Sequence, residues 1–238
     1  KSMSLPLSAK AIGVLSDAAS PAAVNVRNPR LDRWSAGRAR SAIGLSYELV
    51  TVPDEHWQDT EFTGVVFRDE YDGDLSRLRT ERVVFTDCDF SGVNLTESEH
   101  SGSAFRNCTF RRTSLAHSTF RHCTMLGSTF TECSLRPITM VEVDLRLAVL
   151  AGCDLRAVDL TDCRLSEASL VGTDLRKAVL RAADLRGARV QGAKFEEADL
   201  RAARIDATFW TTAGVRGARI DVDQAIAYAV AHGLDLSS

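Results

Sequence analysis

The strongest constraint on this chain is a period of five. From Leu145 to Leu200 every fifth residue is apolar, and two residues before each sits something small, such as Ala148, Cys153, Val158 or Ala168. A helix would need apolar residues at i, i+3, i+4 and i+7, and a long strand would need strict alternation, so neither fits. Within each five the pattern is locally strand-like. The small and the large residue lie two apart and face the same way, while the residue between them faces out. The next two residues must then turn the chain. Glycine recurs at the second of them, as Gly92, Gly102, Gly127, Gly152, Gly172, Gly187, Gly192 and Gly217. That position calls for a positive φ, as in a type II turn. Repeated short strands and turns oblige the chain to coil around its own core.

The phase is long. From Phe85 to Ile220 there are 28 centres, of which only His100 is not apolar, and none of the 28 small positions is charged. Upstream, Phe62 and Phe67 are in phase with each other, but Leu75 follows Phe67 by eight residues. The intervening EYDGD (residues 70–74) reads as a three-residue insertion that forms a loop. Phenylalanine dominates the early centres and leucine the later ones, so like residues should stack on successive coils.

This phase also accounts for the residues that otherwise suggest chemistry. Cys88, Cys108, Cys123, Cys133, Cys153 and Cys163 all occupy the small inward position, so they read as buried free thiols rather than ligands or disulfides. His100 reads as a satisfied core histidine. His117 and His122 fall at exposed turn positions while Cys123 faces in, so no metal site is expected. P-loop, G-x-G-x-x-G and G-x-S-x-G motifs are missing, and the chain reads as a non-enzyme without cofactors.

Residues 1–55 lie outside the period and read as a poorly packed extension, with a short helix near 35–45. The weakly apolar start is broken by Pro6, Lys10 and Gly13 and does not match a signal peptide, and no apolar run is long enough for a membrane helix, so a cytoplasmic protein is expected. Residues 56–220 form the repeat. Residues 221–238 switch to a helical pattern. Asp221 or Asp223 can cap its start and Gly233 sits where a C′ glycine belongs. That helix could cover the open edge of the coil or join two rods. Val222, Ile226, Val230, Leu234 and Leu236 are more apolar than a cap requires, which favours a homodimer.

The unit A-[DN]-L-x-x, seen as ADL at 183–185 and 198–200 with VDL, CDL, TDL and VNL as variants, resembles the pentapeptide-repeat family. The resemblance implies a four-sided fold, an all-β right-handed quadrilateral parallel β-helix with a short C-terminal α-helix. Further segments, including CDFSGVNL, SGSAFRNCTF and DLRKAVLRAADLRGAR, are similar to the family members that confer fluoroquinolone resistance. They imply a C-terminally joined dimer of duplex-like width that binds DNA gyrase in place of DNA and regulates it or protects it from quinolones. The alternative is a passive solenoid adaptor for an unrelated protein.

The charge tests that implication. The whole chain carries 29 Lys and Arg against 32 Asp and Glu, a net −3 that argues against direct nucleic-acid binding. Residues 1–55 hold seven basic and five acidic residues, leaving −5 for the rest. Seven coils at about 4.8 Å give roughly 34 Å of rod, over which duplex DNA carries about 20 charges. Mimicry must therefore rest on rod shape and local acidic columns. Outward residues 20 apart should stack, placing Glu142 beside Asp162, Asp154 beside Asp174, and Asp159 in one column with Asp199. An arginine ladder of Arg136, Arg156 and Arg176 opposes them and could pair with Asp154 and Asp174.

Overall fold

The computed structural model describes residues 25–27, 56–67 and 74–236. Short strands pair in parallel at a fixed offset. His56–Gln58, Arg79–Glu81, Glu99–Ser101, Thr119–Arg121 and Thr139–Val141 build one side. Glu61–Thr63, Val84–Thr86 and Ala104–Arg106 build the next, and Thr109–Arg111 with Thr129–Thr131 a third. Single-residue parallel bridges, such as Asn94 to Ser114 and Asp154 to Asp174, hold the fourth side and the rod beyond Val141. Partners are 20 residues apart from Asp74 onward, so each coil has four sides of five. The fold is the expected right-handed quadrilateral parallel β-helix.

Before Asp74 the offset is 23, as in Phe62 opposite Phe85 and Val66 opposite Asp89, whereas Asp74 faces Asn94. Three extra residues therefore fall between Phe67 and Asp74, as the broken phase required, and the loop expected there lies outside the described residues apart from Asp74. Asn25–Arg27 runs antiparallel to Glu61–Thr63 and covers the edge of the first coil on that side. The rest of the leading segment, with the helix expected near 35–45, lies outside the described residues.

The core is a set of vertical stacks. Phe67, Phe90, Phe110 and Phe130 lie ring on ring at 4.7, 5.0 and 4.8 Å, all within 7° of parallel. The rod's own repeat sets that spacing, since adjacent strands lie about 4.8 Å apart. Small inward residues have a second task. Their polar hydrogens donate to the carbonyl 23 residues earlier: Thr113 to Phe90 (2.7 Å), Ser128 to Phe105 (2.8 Å), Cys133 to Phe110 (3.1 Å) and Thr173 to Leu150 (2.7 Å). Cysteine, serine and threonine interchange there because each can fill the space and satisfy that carbonyl. Five of the six thiols are buried; Cys133 is only half-buried. Burial pushes Cys123 and Cys163 up to about 11, leaving them unionised.

His100 is a satisfied core residue. Its Nδ1 lies 2.7 Å from Thr80 Oγ1 and its Nε2 2.9 Å from Ser98 Oγ, and its ring stacks on Phe120 at 4.5 Å. Burial pushes its pKa down to about 3. At the corners the glycines anticipated for positive φ have it, with Gly152 at 71° and Gly172 at 67°.

The last coil departs from the sequence pattern. Trp210 keeps the period, yet Ala207–Thr212 is a helix, α1, rather than a strand side. The reason is Phe209. A strand would turn it outward, whereas the helix buries both Phe209 and Trp210 under the end of the rod. A second helix, α2, spans Val222–Ala231 with Asp221 as N-cap in a capping box with Gln224. Gly233 at φ 80° closes it: its N–H donates to Val230 and that of Leu234 to Ala229, a Schellman ending. α2 also seals the open edge. Gln224 Nε2 donates to the carbonyls of Leu200 (2.7 Å) and Ala203 (2.9 Å), and Asp221 accepts from the Ala202 N–H (2.9 Å).

Candidate protein-docking surface

Each five-residue side shows three residues to solvent: the one before the centre and the two after it. Where the residue before is Asp and the one after is Arg, the two lock together. Asp154 meets Arg156 at 2.6 Å, Asp174 meets Arg176 at 2.6 Å, Asp184 meets Arg186 at 2.7 Å and Asp199 meets Arg201 at 2.6 Å. The same aspartates accept the backbone N–H of their arginine, at 3.2 Å for both Asp154 and Asp174. The D-L-R tripeptide is thus a closed local device that rigidifies the turn and cancels its own charge. The arginine ladder adds to it. Arg136 reaches Asp154 at 3.0 Å and Arg156 approaches Asp174 at 3.8 Å.

Three of the six nominated carboxylates, Asp154, Asp174 and Asp199, are therefore neutralised. Their arginines hold each well below the usual carboxylate range. Asp199 is also clasped by Arg181 at 2.7 Å and is itself buried. The columns exist as the register required, with Asp154 bridged to Asp174 and Asp159 joined to Asp199 through Val179. The other three acids differ. Glu142 faces only His122, at 3.4 Å, and Asp159 accepts from Thr161. Neither they nor Asp162 has an arginine or lysine partner among the described residues, and all three are exposed.

The larger acidic feature lies elsewhere. The described residues between 56 and 99 hold eight Asp and Glu against three Arg, a net −5 within about two coils. Duplex DNA of that length, roughly 10 Å, carries about six charges. Glu61, Asp87 and Asp89 at this end have no basic partner among the described residues, while Glu97 and Glu99 meet Arg77 and Arg79 at 3.0 and 3.6 Å. Averaging the charge over the whole repeat hides this end; a running count along the sequence finds it. Residues 100–131 carry four Arg and no acid, and residues 132–167 seven acids and four Arg. Along its length the rod is acidic, basic, acidic and then basic again, since residues 168–220 hold ten Lys and Arg against six Asp and Glu.

At the C-terminal end the five nominated apolar residues are all exposed: Val222 by 75%, Ile226 by 49%, Val230 by 58%, Leu234 by 60% and Leu236 by 51%. Tyr228 extends the patch. Among the described residues no three His, Cys, Asp or Glu side chains come together as metal ligands, and no helix is long and apolar enough to cross a membrane.

Family models for pentapeptide repeats match residues 85–129, as nine copies, and residues 113–188, as a pentapeptide repeat region. This chain carries a pentapeptide-repeat solenoid. It is 73% identical over 59 residues to pentapeptide repeat protein MfpA of Mycolicibacterium smegmatis, and 69% identical over 61 residues to MfpA of Mycobacterium tuberculosis. Those matches cover 25% and 26% of this chain and 29% and 32% of the relatives, so the chain spans about a third of the length of the curated relatives it matches. In structure it is similar to a trypsin-treated form of QnrB1, a plasmid-mediated fluoroquinolone resistance protein. The TM-score is 0.64 and the identity 21%, covering 77% of this chain and 99% of that one. The pentapeptide-repeat solenoid shared with QnrB1 follows from that likeness.

Proposed function

We propose that this protein is a cytoplasmic, non-catalytic rod that occupies the DNA-binding surface of DNA gyrase, modulates its activity and protects it from fluoroquinolones. The family resemblance supplies the partner. The observation that carries the reading is the acidic end, residues 56–99, whose charge per unit length approaches that of duplex DNA on a rigid scaffold. Glu142, Asp159 and Asp162 add a second acidic surface of exposed carboxylates. A basic saddle that grips phosphates would be steered to both. The exposed face of α2 joins two rods end to end in a homodimer, which doubles the length offered to the enzyme.

Gyrase supercoiling and ATPase assays with purified protein, with and without a fluoroquinolone, test this. Inhibition or drug protection at micromolar protein is expected. No effect of either kind overturns it.

A second reading, a solenoid adaptor for an unrelated protein, is favoured by one feature. Leu147 and Val171 are exposed by 52% and 39% near the uncharged outward residues Val149 and Ala151. If Leu147→Ser with Val171→Ser abolishes the gyrase effect while acid-to-amide changes leave it intact, the adaptor reading replaces mimicry.

A further inference from the structure

We propose that the basic belt around residues 106–121 binds the phosphodiester backbone of nucleic acid, at a site separate from the acidic surfaces. Between Glu99 and Glu132 the chain holds Arg106, Arg111, Arg112 and Arg121 and no carboxylate side chain. All four are exposed and follow the centres Phe105, Phe110 and Phe120, so they lie on three sides of one coil. Only Arg112 meets an acid, Glu132 at 3.5 Å, in a pair well exposed on both sides. Arg106, Arg111 and Arg121 have no ion pair among the described residues.

The cause is local. Arginines at the same outward position further along, such as Arg156, Arg176 and Arg201, are held by an aspartate two residues earlier. Here that position is Ala104, Thr109 or Thr119. The belt guanidiniums keep their donors free, and a planar fork of donors matches phosphate oxygens. Thr109, Thr129, Thr131 and Ser101 place outward hydroxyls on the same sides, the neutral donors that commonly complete phosphate contacts. The belt has no exposed large apolar side chain, and a protein interface draws its energy from such anchors. That contrast favours phosphate over an acidic protein face. The belt exposes no Phe, Tyr or Trp ring, and its only exposed rings are the imidazoles of His117 and His122, so recognition rests mainly on the phosphates. Acidic coils lie one or two strand spacings away on either side, so a duplex binds across the rod and a single strand follows the belt.

Fluorescence polarisation at low salt, with a short duplex and a single strand of the same sequence, tests the proposal. At least one should bind, with a log–log salt slope of about −2 to −3 for three phosphate contacts. The triple variant Arg106→Gln, Arg111→Gln, Arg121→Gln should lose about tenfold or more in affinity. A control triple, Arg189→Gln, Arg204→Gln, Arg216→Gln, should bind as the parent does. Tighter binding of the duplex assigns the crossing geometry, and of the single strand the wrapped one. Absence of binding to both, equal loss in the control triple, or displacement by polyglutamate as readily as by DNA each overturns the proposal. The belt triple should keep any effect on gyrase, so this proposal and the gyrase reading fail independently.

Discussion

Asp199 accepts a hydrogen bond from Arg201 at 2.6 Å, so an aspartate and the arginine two residues on neutralise each other within one tripeptide. The same fork recurs at Asp154, Asp174 and Asp184. It separates carboxylates that hold the rod together from those free to meet a partner.

Glu142→Gln, Asp159→Asn and Asp162→Asn together should weaken gyrase binding and flatten its salt dependence, with little change in melting temperature. Asp199→Asn should do the reverse. It leaves Arg181 and Arg201 facing a neutral amide and should cost about 1–3 kcal/mol of stability. Denaturant titration beside a gyrase assay reads both. Equal effects of the two variants on binding would show that the forked acids also dock.

Stability should fall as the pH drops below about 6.5. His100 is held neutral at a pKa of about 3, while the unfolded chain takes up the proton near 6.5. Its depressed folded pKa contributes stability that is fully present above 6.5 and is lost as pH falls toward 3. Between pH 6.5 and 5 the loss should approach about 2 kcal/mol. Chemical denaturation at a series of pH values measures it, and His100→Phe should remove most of that slope.

Gln224→Leu should destabilise the C-terminal end by about 1–3 kcal/mol, because the carbonyls of Leu200 and Ala203 lose the side-chain donor they share. Hydrogen exchange should report faster opening in residues 196–220 than in residues 85–130. Uniform loosening along the rod would mean that α2 does not seal the edge.

Ile226→Asp with Val230→Asp should halve the sedimentation mass and leave the β-sheet circular dichroism signal unchanged. An unchanged mass would place any dimer contact elsewhere than on α2.

Leu147 occupies a corner at φ 60°, where Gly127 one coil earlier and Gly152 at the next corner are glycine. A branched residue is strained in this left-handed region, so Leu147→Gly should raise stability by about 1 kcal/mol. A lower melting temperature would instead show that its contacts outweigh the strain.

The coil was legible in the residues because its periodicity is local: Leu150, Gly152 and Cys153 each follow from a position within five. The shift from a 23-residue to a 20-residue offset was likewise visible in the spacing of Phe67 and Leu75. Helix α1 was not, because Trp210 keeps the period and only the burial of Phe209 beside it reveals the helix. The columns Asp154–Asp174 and Asp159–Asp199 followed from counting by 20. Their unequal value as docking groups did not, and the acidic end at residues 56–99 escaped a charge averaged over the chain.

By itself the sequence determined the shape, since a dry core with a turn every five residues leaves the backbone few ways to close. It also determined which residues face out. Only the tertiary structure decided which outward charges remain available. The D-L-R forks are local, but the second clasps, Arg136 on Asp154 and Arg181 on Asp199, come from an arginine on the coil before, which no single repeat encodes. Thus Asp174 and Asp162, both outward acids within twelve residues of each other, end as a clasped strut and an open carboxylate.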